Sequence, residues 1–410
     1  MKHLQGSSLP TVMVISILIS LLILFAIALF DINHIFYSVY HNVKQSKEDI
    51  NSAFVLYCND STFLDVFEKE QGYALYEDKP SSTVQLQVKP WGFYECVMVS
   101  AADKELSSFR ILGKTQECNN EAALWVCSRD MILTLAGNTE VNGKVFIPIN
   151  GVSYAQLGGV PFQGKELDDD HIDLSKKELP LIDSLYLRMI DKLYDEEDVS
   201  FLPSQQEIKP YYSFEEKTSH FLLPKMTDFQ IRGNVVLYTD EIVLTHESKL
   251  SDVILVARKV ILDEGFSGSL QIIAQDTVLI KDNVQLQYPS GIYLRGNQGQ
   301  TYLGLGKHSK LDGYAIVLGN TEHNYGLSVE HNYSQDSTAT FNGLLYVDGI
   351  ADIRGELSGA LYLKESYYFP ENGIYAGTIN DAKISRGNQI AYPFLFSEAS
   401  YQRKVIKTVH

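Results

Sequence analysis

Nineteen residues without a charge, Val12 to Phe30, constrain this 410-residue chain more than any other stretch. Only Ser16 and Ser20 interrupt VMVISILISLLILFAIALF. As a helix rising about 1.5 Å per residue it reaches roughly 28 Å, close to the roughly 30 Å of a bilayer's hydrocarbon core. The run is longer than the roughly 7–15 apolar residues of a cleaved secretory signal, and no small-x-small cleavage site follows it. A retained single transmembrane helix is expected. The few residues before it cannot hold a domain, so the bulk lies C-terminal to the span. A cytoplasmic N-terminus with an extracytoplasmic body is the commoner arrangement for such anchors.

The rest of the chain is polar and acidic. Asp and Glu number 51 against 34 Lys and Arg, a formal charge of -17, and basic clusters past Phe30 are few. That balance excludes a nucleic-acid binder. A chain of this length suits two folded units plus the anchor. Cys58, Cys96, Cys118 and Cys127 share one 70-residue window and form no CxxC pair, which argues against zinc. On an extracytoplasmic body they allow one or two disulfides in three pairings; buried thiols on strands fit equally well.

The first residues read MKHLQGSSLPT: a basic residue, Gly6, small polar residues and Leu9, leading directly into the apolar run. From Asp31 to Tyr57 there is neither Pro nor Gly, and Ile32, Ile35, Phe36, Val39, Tyr40, Val43, Ile50, Phe54 and Val55 recur at helical spacing. One long rod is expected, with an amphipathic second half. This N-terminal segment resembles type IV pilin-like and pseudopilin-like proteins. The resemblance implies leader-peptidase processing between Gly6 and Ser7, with Ser7 as the first mature residue. Leu9 matches the family's leucine; the family's glutamate position holds Thr11. It further implies a protruding apolar half for membrane storage and lateral assembly with other pilin-like subunits, and a second half that covers a β-sheet. A plain signal anchor with a stalk helix is the competing expectation.

From Ser81 to Cys127 the period changes to two. Val84, Leu86 and Val88 alternate with Gln85, Gln87 and Lys89, and three further short strands follow, broken at Pro90-Trp91-Gly92, Ala102-Asp103-Lys104 and Glu117-Cys118-Asn119-Asn120. An antiparallel meander is expected, making an α+β unit with the preceding helix. Met131 to Pro148 packs short strands around Gly-Asn and Asn-Gly turns, a pattern that returns at Gly349–Leu363. Between them, Asp168-Asp169-Asp170-His171 and Asp195-Glu196-Glu197-Asp198 flank the helical-period segment Leu181 to Tyr194. The acidic runs lack EF-hand spacing, so a solvated insertion carrying a short helix is expected rather than a metal site. Leu202 to Pro224 is expected to be irregular linker.

Self-similarity begins near Arg232. Apolar strands start at 235, 253, 270, 291, 314, 343 and 360, separated by turns of Gly, Asn, Asp or Ser. That is one coil of a β-solenoid per repeat, whose apolar face is buried only by stacking. A right-handed parallel β-helix is expected, with loops at Gln298–Gly313 and Asn320–Thr340. A β-sandwich is the rival; it predicts alternation, whereas Val253–Val256 and Ile272-Ile273 are continuous apolar runs.

The expected organisation is therefore a leader and transmembrane helix (1–30), a stalk helix (31–58), a pilin-like meander (59–130), solenoid-like strands (131–164), an acidic insertion and linker (165–230), a β-helix (231–380) and a tail (381–410). Glu241, Asp252, Asp263, Asp276, Asp282 and Asp312 are scattered at turn positions, which turn chemistry explains. Arg232, Arg258 and Arg295 lie near coil starts, and His308 and His323 lie in loops without a paired ligand. No GxSxG, HExxH, P-loop or GxGxxG occurs. No catalytic, metal or cofactor residues are expected. The expected function is a non-enzymatic structural subunit of a cell-surface filament or secretion apparatus, on the outer side of a bacterial inner membrane. The alternative is a membrane-tethered β-helix that binds or cleaves a glycan.

Overall fold

In the computed structural model, residues 8–59, 71–76, 82–101, 106–115, 122–194, 208–223, 229–296, 301–319, 330–371, 373–387, 390–397 and 402–409 are described. The chain divides into two compact units. One comprises Met1–Val55, Gly72–Leu86 and Val99–Ser107; the other comprises Leu56–Gln71, Gln87–Met98 and Ser108–His410.

A single helix, α1 (Ser8–Asn59), carries the apolar run and its continuation. Pro10 falls in the first turn, where its missing N–H breaks no helical bond. From Leu9 to Tyr40 the large apolar side chains are exposed. Further along, Ile50, Ala53, Phe54 and Tyr57 are buried, at the i, i+3, i+4, i+7 spacing of one helix face. Tyr57 belongs to the second unit; in the first unit, buried apolar residues besides Ile50, Ala53 and Phe54 include Val84, Leu86, Val99 and Ala101 on two strands.

The strands Gln71–Ala74, Thr83–Trp91, Tyr94–Ala101, Ser107–Lys114 and Arg403–Val409 form a small sheet in that order. Its last pair is antiparallel, Val409 opposite Phe109 and Arg403 opposite Lys114. Residues 381–410, expected as a tail, thus supply a strand to the sheet. Gly92 and Phe93 make the tight turn between Thr83–Trp91 and Tyr94–Ala101. Gly92 has φ +61°, and a side chain there would strike the Gln271 amide and the Tyr314 hydroxyl.

The second unit is mostly parallel β, closed on itself. One ladder runs Val236, Ile254, Gln271, Gly291, Tyr314, Leu344, Ala360, each residue paired with the next. A second ladder runs Ile242, Val260, Val278, Leu303, Tyr333. In the first ladder both faces of the strands are covered. Leu237, Leu255, Ile272, Ile292, Ala315, Leu345 and Leu361 point into one core. Their neighbours Val236, Ile254, Ile273, Tyr293, Tyr314, Leu344 and Tyr362 point into another, beneath Phe93, Tyr186 and Phe394. Parallel strands buried on both faces read as unbroken apolar runs, which is why Val253–Val256 does not alternate. The second ladder is wet on one side, and Glu241–Leu244 alternates accordingly.

The stacking order departs from chain order. Leu361 pairs with Leu124, Leu124 with Val145, and Val145 with Ile172. Ala122–Val126, expected in the meander, therefore extends the parallel sheet beyond its last repeat. At the opposite end, Ser219–Leu222 pairs with Val235–Tyr238, so part of the expected linker is also a sheet strand. It joins because Tyr212, Phe214 and Phe221 supply buried apolar surface. From Ile172 to Phe221 the ladder counts ten steps, or about 48 Å at about 4.8 Å each. Pro180 and Asp191 of the acidic insertion contact strands of this span. Tyr346 donates to the Pro180 carbonyl at 3.2 Å. The short helix α2 (Ser184–Asp191), N-capped by Asp183, buries Tyr186 and Ile190 and presents Asp191 to Tyr293 and Arg295.

Corners of the stack are set by glycine. Gly313, Gly343 and Gly359 lie opposite one another with φ between +133° and +147°. A Cβ on Gly343 would collide with the Gly313 carbonyl oxygen.

Candidate functional site

Three features are candidates for a functional role. The first is the exposed half of α1. Its only polar side chains between Val12 and Phe30 are satisfied within the helix: Ser16 donates to the Met13 carbonyl at 2.9 Å, and Ser20 to the Ser16 carbonyl at 2.8 Å. The surface therefore offers no unmet hydrogen bond, as a lipid-facing helix requires. It is the one helix among the described residues long and apolar enough to cross a membrane. Gly6 and Ser7 lie outside the described residues.

The second feature is a buried polar hub in the second unit. Glu95 is fully buried. Its Oε1 accepts from the Tyr186 hydroxyl at 2.7 Å; its Oε2 accepts from the Tyr57 hydroxyl at 2.8 Å and from Arg403 Nε at 3.1 Å. Arg403 also donates to the Tyr57 carbonyl at 3.3 Å and stacks 4.1 Å from the Tyr57 ring. A carboxyl group sealed from water is costly without such hydrogen-bond donors. Four segments distant in sequence meet on this one side chain, a geometry of fastening rather than of substrate contact. Lys407 adds a second tie from the C-terminal strand, reaching both oxygens of Asp252 at 2.8 and 2.7 Å.

The third is a cavity of about 440 Å³ between the hairpin around Trp91, the end of α2 and the first strands of the parallel sheet. Met98, Phe109, Met189, Leu193, Phe214 and Ile254 give it an apolar wall. Lys89, Lys192, Thr218, His220 and Asn234 lie at its polar side. Thr218 donates to the Asn234 side chain at 3.0 Å, and the Asn234 amide donates to the Glu216 carbonyl at 3.0 Å. His220 Nδ1 lies 3.2 Å from the Tyr238 hydroxyl. Burial pushes the Cys96 thiol, also in this lining, up to about 12, with Lys89 acting in the opposite sense.

The carboxylates of the repeats are engaged one by one. Arg258 bridges Asp240, Glu241 and Asp276 on stacked strands. Asp263 pairs with Lys281 at 2.9 Å, and its carboxyl is held below the usual range by that lysine and by the Glu264 N–H. Asp282 accepts from the Lys307 N–H at 2.9 Å, and Asp312 pairs with Lys310 at 2.7 Å. Arg232 stacks over Tyr211, and Arg295 meets Asp191. The backbone N–H of His308, in a turn with φ +56°, donates to Thr338 at 3.0 Å; His323 lies outside the described residues. Asp168 caps a turn, its carboxylate 3.5 Å from exposed His171. The Asp195–Asp198 run lies outside the described residues. Among the described residues no cluster of three His, Cys, Asp or Glu could hold a metal. Cys58, Cys96 and Cys127 are free thiols, and Cys118 lies outside the described residues. Burial raises the Cys127 thiol to about 12.

Neither the hub nor the cavity has a sequence motif. Glu95 and Arg403 are 308 residues apart, and the cavity lining comes from six separate stretches. No family model, curated protein or solved structure matches the chain.

Proposed function

We propose that this chain is a non-enzymatic, membrane-anchored structural subunit, pilin-like or pseudopilin-like in design, serving a cell-surface filament or secretion apparatus. Its closed parallel sheet is a right-handed β-solenoid displayed on the outer side of a bacterial inner membrane. The observation that carries this reading is the change along α1: apolar and uncovered from Leu9 to Tyr40, buried on one face from Ile50 to Tyr57. A helix with those two halves can sit in a bilayer and later line a bundle of like helices, while its far end stays fastened to a folded body. Parallel pairing between successive repeats, with offsets such as 18 residues from Val236 to Ile254, supports the solenoid part.

Intact mass measurement of the chain isolated from membranes tests the proposal. Processing after Gly6 leaves Ser7 as the first residue; a mass that includes Met1 rejects the processed-subunit reading. Capture of other pilin-like chains by cross-linking through residues 9–40 is the second expected result. Binding or cleavage of a glycan by the full chain, with no such cross-links, would instead favour the tethered carbohydrate-active alternative.

A further inference from the structure

We propose that the cavity beside Trp91 is a binding site for a single-chain anionic amphiphile, a long-chain carboxylate whose aliphatic tail lies along the apolar wall and whose head meets Lys89 and Lys192. This inference does not rest on the filament reading.

Size and lining come first. About 440 Å³ falls within the roughly 300–1,000 Å³ of small-molecule sites, which combine a mostly apolar lining with a few placed polar groups. Met98 and Met189 are half-buried, unbranched and adaptable, and suit a flexible chain better than a rigid ring system. Charge then selects the head group. The chain carries a net -17, yet among the described residues no Asp or Glu lines this cavity, whereas two lysines do. Among the described residues neither lysine side chain forms an ion pair, while Thr218, Asn234 and His220 are already bonded to protein groups. Lys89 stands on the strand Thr83–Trp91 and Lys192 caps the C-terminal end of α2, so the two ammonium groups come from different segments. A carboxylate between them gains charge-assisted hydrogen bonds that water otherwise supplies.

Trp91, almost fully buried in the lining, is a built-in reporter, because the chain has only one other tryptophan, Trp125. The full-length Trp125→Phe chain, held in a polymer-wrapped particle free of fatty acid, is titrated with 9,10-dibromostearate. Saturable quenching of Trp91 is expected. Removal of the head-group charge by use of the methyl ester, or of the protein charges in Lys89→Ala/Lys192→Ala, should each weaken binding about tenfold or more. The Lys89→Arg/Lys192→Arg chain should retain binding, which separates lost charge from lost folding. The wild-type chain, with Trp125 outside the cavity, should show partial quenching of the same midpoint. Quenching that does not saturate, or midpoints equal for acid and ester or for the lysine and alanine chains, would overturn the proposal.

Discussion

Two apolar stretches of this chain meet opposite fates. Val253–Val256 and its counterparts in the first ladder bury both faces within the second unit, one against the aliphatic interior and one beneath Phe93, Tyr186 and Phe394. Leu9 to Phe30 buries neither side, and every large apolar side chain there is roughly half exposed or more. At roughly 25 cal/mol per Å² of apolar surface, an aqueous setting for that helix is strongly unfavourable. The contrast shows that apolar composition does not tell a core from an anchor. Coverage does, and among the described residues none covers the outer half of the helix.

Variants sharpen the contrast. The covered region should fail when any partner is removed. Arg403→Met leaves Glu95 buried among neutral groups, and breaking a buried pair in this way costs roughly 3–5 kcal/mol. Thermal unfolding of the second unit should fall by many degrees, or the chain should fail to accumulate. Next, one chemical change in two places separates the regions directly. Leu255→Ala, at a fully buried position, should cost about 2–5 kcal/mol. Leu22→Ala, 59% exposed on α1, should leave the melting of the β body unchanged. Equal losses at both sites would show that the outer half of α1 is packed on protein after all. Gly343→Ala adds a strained φ and a backbone collision, for about 2–4 kcal/mol. At the small end, Arg258→Ala removes an exposed cation that bridges three carboxylates, and no measurable shift in unfolding temperature is expected.

Much of this was legible from residues alone. Uncharged Val12–Phe30 and the helical spacing that follows it announce one long helix, and α1 runs unbroken from Ser8 to Asn59. The repeat starts at 253, 270, 291, 314, 343 and 360 fall within one residue of the observed ladder positions. What sequence could not supply was partnership at a distance. Nothing local in Ala122–Val126 says that it stacks on Leu361–Leu363, since either end of a parallel stack accepts an apolar strand. Tyr211–Leu222 reads as linker because its strands are short and polar residues separate them, although Tyr212 and Phe221 enter the core. The hub is invisible for a similar reason: a buried Glu and a buried Arg look like surface residues until the fold joins them. The two lysines of the cavity carry no motif at all.

The central claim, that the uncovered half of α1 is covered by a bilayer, has a direct measurement. Cells producing the full chain are lysed, and the membranes are washed with alkaline carbonate and then extracted with a mild detergent. The account predicts that the full chain stays with carbonate-washed membranes and is released by detergent, while a chain lacking residues 1–30 leaves the membrane fraction as folded, soluble protein. Recovery of the full chain in the soluble fraction, or carbonate-resistant membrane retention of the shortened one, would contradict it.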